Sequence, residues 1–406
     1  MVVYLDHAAT TPLRPEAREA WLAASMLVGN PSSVHAAGQA ARRLLEESRE
    51  RLAEALECDP IEVVFTSGGT ESVNLALKGL FWARAAADAS RRGIVAPQGE
   101  HHATLDALEW LESHEGAQLR WPGLDALGRL DLDAWEAALG DGTDVALASM
   151  LVANNEVGTL QPVSQAVLRA ARVGVPLHLD AVGAFGHVPL SFRGLREAQR
   201  DSGAVRGAGD GLVAMSVAAH KLGGPAGIGA LVVAREATPA ALLHGGEQQR
   251  GLRSGTQNVP GAAAFAAAAA LAVGELEAEA ARLRALRDGL VARVRAAVPG
   301  AVCNGDPAQR LPGNAHISFP GAQGDSLLLL LDLAGVAVST GSACQAGIPN
   351  PSHVLLAMGR DADAARSVLR VSLGRETTQA DVDAFVAAIP GAYERARRAG
   401  MSRREV

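Results

Sequence analysis

Ile61-Glu62-Val63-Val64-Phe65 runs into Thr66-Ser67-Gly68-Gly69-Thr70 and on through Glu71-Ser72-Val73-Asn74. A short apolar run, a glycine turn and a helical pattern over Thr70–Ala87 make a strand–turn–helix unit. The unit recurs along the chain. Further strands are expected at Gly93–Ala96, Val145–Met150, Pro176–Asp180, Leu212–Ser216 and Ile228–Val233, with helices such as Ala37–Leu56 between them. This βαβ rhythm dictates an α/β fold, a mostly parallel sheet with helices on both faces. Ligands in such a sheet bind where strand ends meet Gly, Asp or Asn.

After about residue 254 the texture changes. Gly261 to about Val298 reads as one long helix, and strands are expected at Ala315–Phe319, Val336–Ser339 and Leu369–Leu373. This is the pattern of a second, smaller α+β domain. A Gly- and Arg-rich insert, Arg193–Asp210, reads as a surface loop ahead of a strand.

The 406 residues suit two domains at roughly 100–200 residues each. With 48% hydrophobic and only 20% charged residues, the chain is neither disordered, coiled-coil nor collagenous. A net charge of −7 without a basic tract argues against nucleic acid or an anionic membrane as partner. Cys58, Cys303 and Cys344 form no CxxC pair, so neither a disulfide scaffold nor a tetrahedral zinc site is expected. The N-terminus lacks the basic and apolar regions of a signal peptide, and the apolar stretch Ala262–Val273 is too short to span a bilayer. The expectation is a soluble, cytoplasmic protein.

The chemistry gathers around Ala218-Ala219-His220-Lys221-Leu222-Gly223-Gly224-Pro225, just after a strand. On its own this segment favours an exposed lysine beside a Gly/Pro turn. A desolvated lysine amine is also a nucleophile for carbonyls, the chemistry that holds pyridoxal phosphate (PLP) as a Schiff base. Its company tips the balance. Asp180, closing a strand, suits the acid that keeps a pyridine ring protonated. The Gly68-Gly69-Thr70 turn opens a helix, where backbone N–H groups receive a phosphate. His101, in Glu100-His101-His102, offers a planar partner for the ring face.

With these parts in order, the sequence resembles a cysteine desulfurase of the NifS/IscS type, in the aminotransferase class V group of fold-type I PLP enzymes. The likeness runs nearly end to end. It includes Leu5-Asp6-His7-Ala8-Ala9-Thr10-Thr11-Pro12, Gly29-Asn30-Pro31-Ser32-Ser33-Val34-His35, Asn154-Asn155-Glu156-Val157-Gly158 and Arg253-Ser254-Gly255-Thr256. Gly341-Ser342-Ala343-Cys344 and Leu369-Arg370-Val371-Ser372-Leu373-Gly374-Arg375 complete it. The resemblance implies a large seven-stranded-type α/β/α PLP-binding domain over 16–253. It also implies a small α+β domain from 1–15 and 254–406 that carries the cysteine loop.

The resemblance also implies roles. Lys221 is the Schiff-base lysine and the proton carrier at Cα. Asp180 pairs with the ring nitrogen, His101 stacks on the ring and Asn155 contacts the ring hydroxyl or nearby groups. Gly69, Thr70 and His220 hold the phosphate, and Thr256 reaches that of a neighbouring subunit in an obligate homodimer. Asn30 and Arg370 hold the substrate carboxylate, and an arginine fork suits that anion. Cys344 is the nucleophile that becomes a persulfide and passes sulfur to an acceptor protein, for iron–sulfur clusters or thiolated tRNA. The run Gln345–His353, rich in Gly, Pro and Asn, suits an exposed thiol, although composition alone leaves reactive and structural roles evenly matched. Cys58 and Cys303 read as structural.

Three departures stand out. Gly183 replaces the usual Gln after Asp180-Ala181-Val182, Ala218 replaces a serine two before His220, and Glu247 and Gln249 stand where glycine and glutamate are usual. Each lost hydrogen bond costs on the order of 1 kcal/mol, or about 1.5–3 kcal/mol when made to an anion. The alternatives are a selenocysteine lyase, another class V enzyme such as an aminotransferase or kynureninase-like hydrolase, and a degenerate scaffold without catalysis.

Overall fold

The computed structural model describes residues 2–205, 207, 209–341 and 351–402, with side chains to residue 398. Cys344 therefore lies outside the described residues. The strands are β1 (Val3–Tyr4), β2 (Val63–Thr66), β3 (Gly93–Val95), β4 (Gln118–Arg120), β5 (Val145–Leu151) and β6 (Pro176–Asp180). They continue with β7 (Gly211–Ala218), β8 (Gly229–Val233), β9 (Val302–Asn304), β10 (Asn314–Ser318), β11 (Val336–Ala337) and β12 (Val368–Ser372).

Seven strands form the main sheet in the order β2-β8-β7-β6-β5-β3-β4. Its pairs are parallel except where β8 meets β2 and β7. Strands β5 to β8 are buried at every position, as their unbroken apolar runs require when helices cover both faces. The expected strands are all present to within two or three residues. β4 was not anticipated, because three half-exposed residues at a sheet edge carry no period to read.

Buried apolar residues separate into two large clusters. One surrounds the seven-stranded sheet and draws in the Val259–Gly274 helix. The other joins Leu5 to the β10–β12 region and the C-terminal helix. The chain start belongs to this second cluster, because β1 pairs in parallel with β11.

Two expectations need correction. The single long helix after Gly261 is two helices, Val259–Gly274 and Leu276–Ala297, bent by 70°. The first is apolar all round and packs against the Pro15–Ser25 and Ala36–Leu56 helices. At the bend Glu275 pairs with Arg14, whose Nη1 lies 2.8 Å from its Oε2. The second helix then buries Leu283, Leu290 and Val294 in the other cluster.

The insert is also not a loop throughout. Phe192–Asp201 is a helix, with Ser191 Oγ accepting from Gly194 N at 2.9 Å. It buries Phe192, Arg196 and Gln199 on one face, and Arg196 pairs with Glu62 at 3.2 Å and Glu236 at 2.8 Å. Among the described residues no single helix is long and apolar enough to cross a membrane.

Candidate active site

The site forms where strand ends converge. β6 ends at Asp180, β7 passes into the turn carrying His220 and Lys221, and β2 leads through Gly68 into the Gly69–Ala87 helix. His101 starts the His102–Glu115 helix, its Nδ1 accepting from Ala103 N at 3.0 Å. Between them lies a cavity of about 250 Å³, lined by Gly69, Thr70, His101, Asn155, Asp180, His220 and Lys221 among others. Seven predicted residues from five stretches of chain thus meet in one place.

Burial sets the protonation states. It pushes the Asp180 carboxyl up to about 6, against the opposing pull of the Val182 N–H and of Lys221. Burial, helped by Lys221, takes His101 down to about 4, so a neutral ring faces the cavity at pH 7. His220 falls to about 4 for the same reasons. Lys221 Nζ donates to Ala8 O at 2.6 Å and to Ala9 O at 2.9 Å, so the N-terminal segment holds the amine at the cavity edge.

Arg370 sits beside the cavity, on β12. Its Nη1 donates to Asn155 O at 3.0 Å and its Nη2 to Asp6 Oδ1 at 3.1 Å. Asn30 and Thr256 stand apart. Both are exposed, and neither lines the cavity among the described residues.

The residues present fit pyridoxal phosphate. Asn155 Oδ1 is buried with no hydrogen-bond partner among the described residues. Among the described residues no side chain caps the Gly69–Ala87 helix at Gly68, which leaves its start to other acceptors. A Cβ built on Gly183, which lines the cavity, meets nothing within 4 Å among the described residues.

Sequence reasoning gave no role to several residues here. His7 and His187 line the cavity, and His187 Nε2 lies 2.9 Å from Lys221 O, fixing the lysine turn. Asp6 holds Arg370. Glu100 is buried, accepts from Leu151 N at 3.0 Å, and is pushed up to about 8 by burial and by nearby Asp180. Three of the four lie within quoted motifs, so the signal was present; His187 had none.

The departures from the family pattern do not all fall at the cavity. Gly183 lines it, and Ala218 is buried 3.6 Å from a Cβ built on Gly69. Gln249 instead pairs with the edge of β2: its Oε1 accepts from Phe65 N and its Nε2 donates to Phe65 O, both at 2.7 Å. Glu247, Gln249 and Arg250 all have left-handed φ between 51° and 63°.

A strand-end lysine, a buried acid and a helix N-terminus around one cavity define the class, and the chain belongs to the aminotransferase class-V family, whose model matches residues 3–385. It is 50% identical over 402 residues to an IscS-like cysteine desulfurase of Mycobacterium tuberculosis, covering 99% of this chain and 98% of the relative. It is 40% identical to a cysteine desulfurase of Cereibacter sphaeroides over 97% of this chain and 96% of that protein. A solved NifS-like protein superposes with a TM-score of 0.86 at 34% identity, covering 97% of this chain and all of the other.

Proposed function

We propose that the chain is a PLP-dependent L-cysteine desulfurase that converts L-cysteine to L-alanine and leaves the sulfur as a persulfide on Cys344. The observation that carries this is the single cavity joining Lys221, Asp180 and His101 in a chain alike end to end with named cysteine desulfurases. The two apolar clusters support a large domain, 16–253, and a small one from 1–15 and 254–406, with the Val259–Gly274 helix packed on the larger.

Bound pyridoxal phosphate supplies an electron sink that makes the substrate Cα acidic and its sulfur able to leave. Lys221 holds the cofactor and moves the proton at Cα. Asp180, in a site where burial already raises its proton affinity, shares a proton with the ring nitrogen. His101 would stack on the cofactor, and Asn155 would offer it its buried Oδ1. Gly69, Thr70 and His220 hold the phosphate at the helix start. Arg370 turns from Asp6 to the substrate carboxylate, with Asn30 beside it.

The Cys344 thiolate then attacks the substrate sulfur. An S–S bond forms, the C–S bond breaks with its electron pair kept by carbon, and Lys221 returns a proton as alanine leaves. No outside oxidant or reductant is needed, and the persulfide is a reversible store of sulfur. It passes to an acceptor protein serving iron–sulfur cluster assembly or tRNA thiolation. Thr256 serves the phosphate of the neighbouring protomer in a homodimer, in keeping with its exposure.

The test incubates PLP-loaded protein with L-cysteine and follows alanine and protein-bound persulfide together. Equal early yields, both lost in Cys344→Ala, are expected. Bound cofactor without alanine would point to another amino acid as substrate, and failure to bind PLP would point to a scaffold.

A further inference from the structure

Glu156 follows Asn155 and is 1% exposed. A carboxylate buried so completely is costly unless hydrogen-bonded. Its polar partners come from the C-terminal end of the segment that carries Cys344, and the N-terminal end packs against it. On the C-terminal side, Ser352 Oγ donates to Glu156 Oε2 at 2.5 Å, and His353 Nδ1 lies 3.7 Å from Oε1. On the N-terminal side, Gly341 comes so close that a Cβ there would sit 2.6 Å from Glu156 Oε2 and 2.9 Å from His316 Nε2. Only glycine permits that approach.

The same residue is tied to the cavity. Asn154 Oδ1 accepts from Glu156 N at 2.9 Å, and Asn155 O accepts from Arg370. His353 Nε2 donates at 2.8 Å to the carbonyl of Glu100, the residue before His101. Glu156 therefore stands between the stems at 341 and 352–353, which meet its carboxylate, and the Asn154–Asn155 turn, which meets its backbone.

We propose that Glu156 is a positioning residue: by anchoring the 352–353 stem, with Gly341 packed on its carboxylate, it sets how the thiol of Cys344 meets the substrate sulfur. This rests on Cys344 being the nucleophile. It predicts that losing the carboxylate impairs only the step that needs the thiol.

The experiment compares two substrates on PLP-loaded, full-length protein. L-Cysteine needs attack by Cys344. L-Cysteine sulfinate does not: its C–S bond breaks with the electron pair kept by carbon, and the sulfur leaves as sulfur dioxide, which water converts to sulfite. Glu156→Gln should lower alanine formation from cysteine roughly tenfold, the scale of a lost hydrogen bond to a charged group, and leave sulfinate turnover unchanged. Ser352→Ala should give the same split at smaller size, which keeps the test open if Glu156→Gln folds poorly. Equal loss on both substrates, or no loss on either, in the variants that fold would overturn the proposal. Cys344→Ala should show the split in full; if it keeps cysteine turnover, the desulfurase reading itself falls and takes the role of Glu156 with it.

Discussion

At Gly183 the cavity wall carries no side chain, and the space beside it is open. Gly183→Gln should therefore be accommodated and add a donor. An extra neutral hydrogen bond should tighten PLP binding about fivefold in an absorbance titration of cofactor-free protein; unchanged affinity would show the side chain does not reach the cofactor. Asp180 makes a second, pH-dependent prediction for the cofactor-free protein. Its folded pKa is raised from 3.8 to about 6, so its contribution to stability is present below about pH 4 and lost as pH rises through 6. Glu100, raised from 4.5 to about 8, acts in the same direction. Asp180→Asn cannot ionise. It should be more stable than wild type at about pH 7.5, by up to roughly 3 kcal/mol in denaturant unfolding, with no such gain below about pH 4. A gain of equal size at both pH values would contradict the assignment.

Among the elements, Gln249 acts as a short false strand on the edge of β2 through its two bonds to Phe65. Gln249→Ala should cost about 1–3 kcal/mol, read from the denaturation midpoint at unchanged slope. A loss of cofactor affinity without loss of stability would instead place Gln249 at the active site. The strands and the Asp180, His101 and Lys221 positions were legible, because apolar runs end in motif residues and strand ends are where a parallel sheet places its chemistry. The helix break at Glu275 was not, because the bend carries no local signal and the residue that pairs there, Arg14, is 261 residues away in sequence. The Asp6–Arg370 pair is a contact of the same kind, spanning 364 residues. An alanine-rich run reads as helix on either side of such a bend.

For the whole molecule, the proposed homodimer has a surface suited to it. Met26, Val28 and Val34 are 80%, 87% and 88% exposed, flanking the Asn30 segment. Sedimentation should give a dimer, and Val34→Asp should weaken it. If Thr256 serves the neighbour's phosphate, Thr256→Ala and Lys221→Ala proteins should regain activity when their protomers are exchanged. A mixed dimer then has one site with both residues intact. Exchange without any gain over the separate variants would place Thr256 in its own protomer's site.

The N-terminal segment has a consequence for how the protein is made. Residues 3–14 pair with β11, meet Ser372 and Arg370, supply the carbonyls that hold Lys221, and brace the lysine turn through Arg14. These residues leave the ribosome long before β11 and β12 and wait for them before they find their places. The seven-stranded sheet closes with β8 at Val233, well before that point. A nascent chain halted anywhere short of β12 can have a folded sheet and still lack the surroundings of its own lysine, so the chemistry is born only once β12 has been made.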